Sequence, residues 1–225
     1  MRIVITGSNR GIGLELTRQC LNRGDTVIAT VRDPSAVKEL NALANERLTV
    51  LACDVGDDAS VRAFAAKVTG PIDALINNAG VMGAMTSLEN VDTADALTTY
   101  SVNALGPLRV TAALLPRLKE GKTKKVLHIT SGMASISDNT SGGAYGYRMS
   151  KAALNMGNRS MAVDLKRDGI IAAVINPGWV KTDMGGEGAP LGVVESASGI
   201  LAQLDAMSAK TSGEFLDYSG KQWSW

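Results

Sequence analysis

The chain contains little histidine, cysteine or aromatic residue, and each shortage excludes a class of site or protein. Its 225 residues include one histidine, His128, and two cysteines, Cys20 and Cys53. One histidine excludes a His-rich metal site, and the cysteines lack the spacing of a zinc-binding pair, so we expect no metal. We interpret both cysteines as small buried residues in a reducing compartment, with a single disulfide as the alternative.

Strong net charge and long apolar runs are also missing. The 23 basic and 22 acidic residues leave a net charge of +1, which gives no electrostatic attraction to nucleic acid or to an anionic membrane. No apolar run approaches the roughly 18 residues of a membrane-spanning helix, and no apolar leader follows the N-terminal Met-Arg. We therefore expect a soluble, cytoplasmic protein with neither a nucleic acid nor a membrane as partner.

Short apolar runs alternate with segments of helical periodicity along the whole chain. The predicted strands cover residues 2–6, 26–30, 47–52, 74–77, 126–130, 170–175 and 214–218. The predicted helices cover residues 12–23, 34–44, 57–68, two within 92–118, 145–167 and 193–208. This alternation predicts an α/β fold in one domain, residues 1–225: a Rossmann-type, doubly wound parallel sheet of about seven strands flanked by helices.

A glycine-rich segment lies between the first strand and the first helix. Residues 6–13 read Thr-Gly-Ser-Asn-Arg-Gly-Ile-Gly. Glycines at this place allow a tight turn and close approach of a pyrophosphate to the helix N-terminus, although an ordinary βα turn is the alternative. The segment predicts dinucleotide contacts by Gly7, Ser8, Asn9, Arg10, Gly11, Ile12 and Gly13.

The end of the second strand indicates which dinucleotide binds. It reads Val31-Arg32-Asp33, with an arginine close to where an acidic residue would hold the ribose of NAD. Guanidinium groups at Arg32 and Arg10 match the 2′-phosphate of NADP. We predict NADP(H), with NAD less favoured; the alternative is that Asp33 contacts the ribose and both arginines are solvated.

Tyr147 and Lys151 stand four residues apart on a predicted helix, so both project from one face. A neighbouring ammonium favours the phenolate and lowers the pKa of a tyrosine, which could then exchange a proton with a substrate oxygen. Ser131 follows the fifth strand and could bind the same oxygen; a capping role is its alternative. Tyr145 has Met149, not a lysine, at the equivalent spacing, so we assign proton transfer to Tyr147.

Several other residues have a structural and a functional interpretation. We expect His128 to be structural, because it lies in a predicted buried strand. An apolar substrate wall would consist of Met82, Met85, Trp179 and Met184, which packing explains equally well. The short, glycine-rich segment after Thr182 predicts a mobile and rather open site.

The motifs together resemble the short-chain dehydrogenase/reductase family over nearly the whole chain. They have its order and spacing: residues 6–13, Asn77-Asn78-Ala79-Gly80, Asn103, Ser131, Tyr147 with Lys151, and Asn176-Pro177-Gly178. Residues 142–154 and 177–186 are similar to the branch of C-factor and sniffer-type carbonyl reductases. Each piece is common alone, whereas the combination is specific.

The resemblance implies a role for each of these residues. Tyr147 would be the general acid/base, Lys151 would lower its pKa and bind the nicotinamide ribose, Ser131 would orient the carbonyl, and Asn103 would hold a water of a proton relay. Further dinucleotide contacts would come from Asp54 and Val55 at the adenine, Asn77, Ala79 and Gly80 at its ribose, and Pro177, Gly178, Val180 and Thr182 at the nicotinamide.

The expected activity is NADP(H)-dependent reduction of an aldehyde, ketone or quinone, or the reverse. The alternative is a dinucleotide-binding signalling protein of the C-factor type in which catalysis is secondary. Sugar-nucleotide epimerases share the Tyr-Lys pair, but their glycine spacing and longer C-terminal region differ from this chain. Family habit also suggests a homodimer or homotetramer formed through residues 103–118 and 152–167.

Overall fold

The computed structural model describes residues 1–225, apart from the side chain of Ala36. The strands are β1 (Arg2–Thr6), β2 (Thr26–Val31), β3 (Leu48–Ala52), β4 (Ala74–Asn77), β5 (Lys125–Ile129), β6 (Ile171–Asn176) and β7 (Phe215–Asp217). The α-helices are α1 (Gly11–Asn22), α2 (Lys38–Asn41), α3 (Asp58–Lys67), α4 (Thr93–Tyr100), α5 (Gly106–Glu120), α6 (Tyr145–Asp164) and α7 (Val193–Ala206).

All seven strands form one parallel sheet in the order β3-β2-β1-β4-β5-β6-β7. The order reverses between β1 and β4, and helices cover both faces. The prediction of a doubly wound parallel sheet of about seven strands is therefore confirmed. None of the helices in the described chain is long and apolar enough to cross a bilayer.

The sheet is apolar on both faces because every central strand is covered twice. In β1, Ile3 and Ile5 pack in one core cluster with residues of α1 and α7. Val4, which points to the opposite face, packs in a second cluster with residues of α3 and α5. Such double burial explains why the strands are unbroken apolar runs rather than alternating ones.

The prediction of one continuous helix over residues 34–44 is wrong. A short 3-10 turn, Pro34–Ala36, is followed by the four-residue helix α2. Asp33 caps the turn by accepting from the backbone N–H of Ser35, at 2.9 Å. Val37 then has φ −127° and ψ 55°, which interrupts the helix while its side chain is buried.

Both cysteines are buried and free, which confirms their interpretation as small core residues. The alternative of a disulfide between Cys20 and Cys53 is wrong. Burial raises the pKa of each thiol to about 12. Neither sulfur is therefore a thiolate at neutral pH, as expected of cysteines that only pack.

One polar pair interrupts the apolar core between β4 and β5. Asn77 and His128 are register partners, and the side-chain amide nitrogen of Asn77 lies 3.1 Å from Nδ1 of His128. The same nitrogen donates to the hydroxyl of Thr111 on α5, at 3.1 Å. Burial, and secondarily the charge of Lys151, lowers the pKa of His128 to about 3. His128 is thus a neutral, structural side chain.

The burial of His128 predicts that the free energy of unfolding depends on pH. Its folded pKa is about 3 and its unfolded value about 6.5, so the unfolded chain binds the proton more readily. The contribution of neutral His128 to the free energy of unfolding is complete above pH 6.5. It is lost as the pH falls toward 3, by at most about 1.4 kcal/mol per pH unit.

Urea unfolding of the wild type and of His128→Asn between pH 4 and pH 8 checks this expectation. Carboxyl groups contribute equally to both proteins, so the difference between the two slopes isolates the histidine. We expect a steeper loss of unfolding free energy in the wild type below about pH 6.5. Parallel curves would contradict the assignment of a neutral buried imidazole.

Candidate active site

The predicted functional segments meet at one edge of the sheet. The glycine loop follows β1, the segment from Asn78 follows β4, Ser131 comes shortly after β5, and Pro177 follows β6. In a parallel sheet these carboxyl ends lie side by side, and the reversal of strand order between β1 and β4 opens a crevice there. The topology therefore brings together motifs that are up to 170 residues apart in sequence.

The glycine loop has the shape that a pyrophosphate requires. Gly7 and Gly11 have φ of +69° and +53°, in the left-handed region that favours glycine. A Cβ at Gly13 would lie 2.1 Å from the carbonyl oxygen of Gly7, so only glycine allows this approach. Arg10 precedes α1 in an extended conformation and provides no side-chain cap. The uncapped N–H groups and the close backbone packing fit a dinucleotide phosphate.

Asn78, which the sequence analysis did not single out as a site residue, holds this loop in place. Its amide nitrogen donates to the carbonyl oxygens of Thr6 and Gly7, at 2.9 and 3.0 Å. The Thr6 hydroxyl in turn accepts from the backbone N–H groups of Asn78 and Ala79, both at 3.0 Å. Asn77 points to the opposite face and is buried against His128 and Thr111. Only its backbone can border the crevice.

Ala79 and Gly80 connect the glycine loop to the catalytic residues. A Cβ at Gly7 would lie 2.9 Å from Cα of Ala79, so the two backbones touch. A Cβ at Gly80 would lie 3.2 Å from Oδ1 of Asn103 and 3.5 Å from Nζ of Lys151. The predicted dinucleotide loop and the predicted catalytic lysine are thus separated by little more than one backbone segment.

The side chains around the expected ribose phosphate favour the arginines over Asp33. Arg32 is exposed directly after β2. Asp33 accepts from the hydroxyl and the backbone N–H of Ser35, at 2.6 and 2.9 Å, and these bonds lower its pKa. The Asp33 carboxylate is thus occupied by hydrogen bonds within the turn that it caps. Arg10 is paired at 2.8 Å with Asp183, and both side chains are well exposed.

Asp54 and Val55, expected at the adenine, follow β3. Asp54 is exposed and accepts from the backbone N–H of Gly56, at 2.9 Å. Val55 is buried against Gly106, where a Cβ would lie 2.9 Å from a Val55 methyl group. The pair therefore forms one wall at the β3 end of the crevice, polar on its outer side.

Tyr147 and Lys151 lie one turn apart on the same buried face of α6, as predicted. Nζ of Lys151 donates to the carbonyl oxygen of Ile129, at 2.8 Å, and lies 5.9 Å from the centre of the Tyr147 ring. The Ser131 hydroxyl lies near the Tyr147 phenol, close enough to lower the pKa of that phenol. It also accepts from the backbone N–H of Met133, so the capping role holds as well.

The predicted lowering of the Tyr147 pKa is not found in this structure. Burial raises the pKa of the phenol, and the nearby Ser131 hydroxyl opposes that rise without cancelling it. Burial also lowers the pKa of Lys151, to about 8. At neutral pH the phenol is protonated and most of the lysine is charged, so desolvation outweighs the attraction of the ammonium for a phenolate.

Asn103 lies in a π-helical turn, Ser101–Leu105, between α4 and α5. Its amide nitrogen donates to the carbonyl oxygen of Val81 and to the hydroxyl of Ser150, at 2.8 and 3.0 Å. Its oxygen accepts from the backbone N–H of Val81, at 2.8 Å. The side chain is fully buried and fastens the segment after β4 to α6. Widened turns of this kind are frequent at functional sites.

The residues expected at the nicotinamide lie in the segment after β6: Pro177, Gly178, Val180 and Thr182. Gly178 has φ +83°, and a Cβ there would lie 2.7 Å from a methyl carbon of Leu191. The Thr182 methyl group would lie 3.3 Å from a Cβ at Gly11. The segment therefore folds back toward the glycine loop and closes that end of the crevice.

The expected apolar substrate wall is only partly formed. Met85 and Trp179 are 58% and 61% exposed, and Met184 is 44% exposed. Trp179 donates from its indole nitrogen to the carbonyl oxygen of Gly185, at 2.7 Å, which ties it to its own loop. These exposures are in keeping with the open site expected from the short segment after Thr182.

Comparisons with known proteins agree with the family resemblance of the sequence motifs. Residues 1–190 match the family described as short chain dehydrogenase. The C-signal of Myxococcus xanthus is 52% identical over 166 residues, which are 73% of this chain and all of that relative. The NADPH-bound carbonyl reductase from chicken fatty liver has a TM-score of 0.94 at 36% identity, over 100% of this chain and 98% of that chain.

The carbonyl reductase Sniffer of D. melanogaster has a TM-score of 0.95 at 32% identity, over 100% of this chain and 99% of that chain. These matches confirm the family and the branch that the sequence motifs resemble. The chain belongs to the short-chain dehydrogenase family, in the branch that contains the C-signal and the Sniffer-type carbonyl reductases.

Proposed function

We propose that this oxidoreductase uses NADP(H) to reduce the carbonyl of an aldehyde, ketone or quinone to an alcohol, or catalyses the reverse reaction. The observation that carries the proposal is the buried Tyr147 phenol, which lies near the Ser131 hydroxyl and beside the Lys151 ammonium. When bound, the dinucleotide supplies or accepts the hydride.

The two hydroxyl groups are placed to act on one oxygen. A substrate carbonyl oxygen placed between them would accept a hydrogen bond from both Ser131 and Tyr147. As negative charge develops on this oxygen, Tyr147 donates its proton and the alcohol forms. Burial keeps the phenol protonated at neutral pH, which is the form that reduction requires. The nearby charge of Lys151 stabilises the phenolate left behind.

Asn103 acts on this pair as a positioning residue. It donates to the Ser150 hydroxyl, and that hydroxyl donates to the carbonyl oxygen of Tyr147, at 2.8 Å. Its other bonds hold the backbone of Val81, one residue after Gly80. We propose that this chain of bonds fixes α6 relative to the crevice; the relay water that the family resemblance implies remains part of the proposal.

NADP is the better fit because Arg32 is exposed at the end of β2, where it can meet a 2′-phosphate, while Asp33 is hydrogen-bonded to Ser35. Structures similar to this chain were solved with NADPH or NADP bound. The pyrophosphate would lie on Gly7–Gly13 and the 2′-phosphate beside Arg32 and Arg10. The adenine would contact Asp54 and Val55, and the nicotinamide the segment from Pro177 to Thr182.

A signalling role in which catalysis is secondary is the second candidate, because the C-signal is 52% identical to this chain. Complementation of a deletion strain separates the two. If a Tyr147→Phe protein that still binds NADP restores the cellular phenotype, chemistry is dispensable and the signalling proposal is favoured. If it does not, the phenotype depends on turnover.

Replacement of the proposed proton donor tests the catalytic assignment. We expect Tyr147→Phe to lower kcat by about 10²–10⁴-fold, since the ring stays but the transferable proton is lost. Steady-state oxidation of NADPH with a panel of aldehydes, ketones and quinones measures this, and dinucleotide binding is followed by fluorescence.

The matched control is Tyr100→Phe, the same change at a partly exposed tyrosine at the end of α4. It should retain wild-type turnover. Loss of activity in Tyr145→Phe with full activity in Tyr147→Phe would contradict the assignment. Absence of turnover by the wild type across the whole panel would contradict the proposed reaction itself.

Removal of Arg32 tests the choice of dinucleotide. We expect Arg32→Ala to weaken NADPH binding by about 10–100-fold, the loss typical of a charged hydrogen bond, while NADH binding changes little. Dissociation constants for both dinucleotides measure the ratio. Arg167→Ala, an exposed arginine after α6, is the control for net charge. Equal loss of affinity for NADH and NADPH would count against a 2′-phosphate contact.

A further inference from the structure

A concavity of about 450 Å³ lies at the start of α6, and its lining includes residues on either side of Tyr147 in the chain, Tyr145 and Arg148. Residues 85–88 after β4, Met133 after β5, and residues 141–145 with Arg148 line it. Met133 donates its backbone N–H to Ser131, and Arg148 follows Tyr147 directly in α6. The lining thus includes the hydrogen-bond partner of Ser131 and the residue that follows Tyr147.

Arg148 is the only charged residue in this lining among the described residues. Its guanidinium donates to three neutral acceptors: the Ser141 hydroxyl at 2.8 Å, and the carbonyl oxygens of Gly142 and Met133 at 3.3 and 3.4 Å. Within the part of the chain that the structure describes, none of the ion pairs includes Arg148. A half-buried, oriented cation thus faces the concavity without a counter-charge.

The rest of the lining is largely apolar. Met85 and Leu88 line the concavity and are 58% and 69% exposed, so much of their apolar surface is open to solvent. Met133 and the ring of Tyr145 add further apolar surface. A ligand that covered these side chains would gain hydrophobic free energy, and one anionic end would reach the guanidinium.

We propose that the concavity binds the carboxylate end of an apolar carbonyl substrate, with Arg148 as the residue that determines this specificity. The inference rests on the proposed oxidoreductase activity and names its substrate class. A carboxylate fits better than a phosphate, because one guanidinium neutralises a monoanion but leaves a dianion uncompensated.

Matched substrates test the proposal on the wild-type protein. Each aromatic aldehyde of a series carries a carboxylate at the far end of a spacer of zero to four methylene groups, and is compared with its primary amide. The amide has the same shape and no charge. We expect at least one carboxylate to exceed its amide in kcat/KM by about 10-fold or more, the ratio typical of a charged hydrogen bond.

Variants then assign the preference to one side chain. In Arg148→Gln the carboxylate-to-amide ratio should fall to about one, while Arg148→Lys should keep part of it as a point charge. Arg62→Gln, at an exposed position of α3, is the control for net charge and should keep the full ratio. An unchanged ratio in Arg148→Gln overturns the proposal, as does a ratio near one for every pair in the wild type.

Calorimetric binding of the same acids and amides to the NADP-loaded protein separates this inference from the proposed function. If acids and amides are turned over equally well, the inference of a carboxylate site is overturned, whereas the proposed reductase activity is supported. If no substrate of the series is turned over, the reductase proposal fails. Carboxylate binding that depends on Arg148 would then still support the anion site. If the carboxylates also fail to bind, the anion site is overturned as well. The wild-type comparison decides the matter even if Arg148→Gln does not fold.

Discussion

The ammonium group of Lys151 lies in the interior of the protein, where its side chain is almost fully shielded from solvent and donates to the carbonyl oxygen of Ile129. A charge placed there is tolerated only if it is hydrogen-bonded or paired with an opposite charge, and here the partner is a neutral carbonyl oxygen. Its own pKa is lowered to about 8 by burial, and its field helps to lower the pKa of His128. Both pKa shifts follow from the position of the Lys151 ammonium in the interior, where it is bonded to the last residue of β5.

The same cation explains the arrangement of the segment after β4. Gly80 leaves room for Lys151 and Asn103, because a Cβ at that position would contact both. One residue earlier, Ala79 touches Gly7 of the glycine loop, and Asn78 ties that loop down by two hydrogen bonds. Three consecutive residues therefore fix the distance between the expected dinucleotide and the proton-transfer site.

The apolar runs and glycine spacing were enough to predict the sheet and the placement of Tyr147, Lys151 and Ser131 at one edge. What they could not predict depends on neighbours distant in sequence. Asn77 and Asn78 are adjacent, but successive side chains of a strand point to opposite faces, so one is buried and the other serves the loop. The rise of the Tyr147 pKa depends on how completely surrounding segments exclude water, which no motif encodes. The break at Val37 arises because a buried valine overrides a weak helical pattern.

We expect substrate recognition to come mainly from the α6 side of the crevice. The segment after β6 leaves Trp179 and Met184 largely exposed and is shaped by contacts within itself, such as the Trp179–Gly185 bond. The start of α6, by contrast, is anchored to the rest of the fold: Ala144 donates to the carbonyl oxygen of Thr86, at 3.1 Å, and Arg148 spans the loop after β5. A side chain held on a rigid element discriminates between ligands better than one on a loose loop, because less ordering free energy is lost on binding. The helix that carries the proposed proton donor, Tyr147, is therefore also the element best placed to select the substrate.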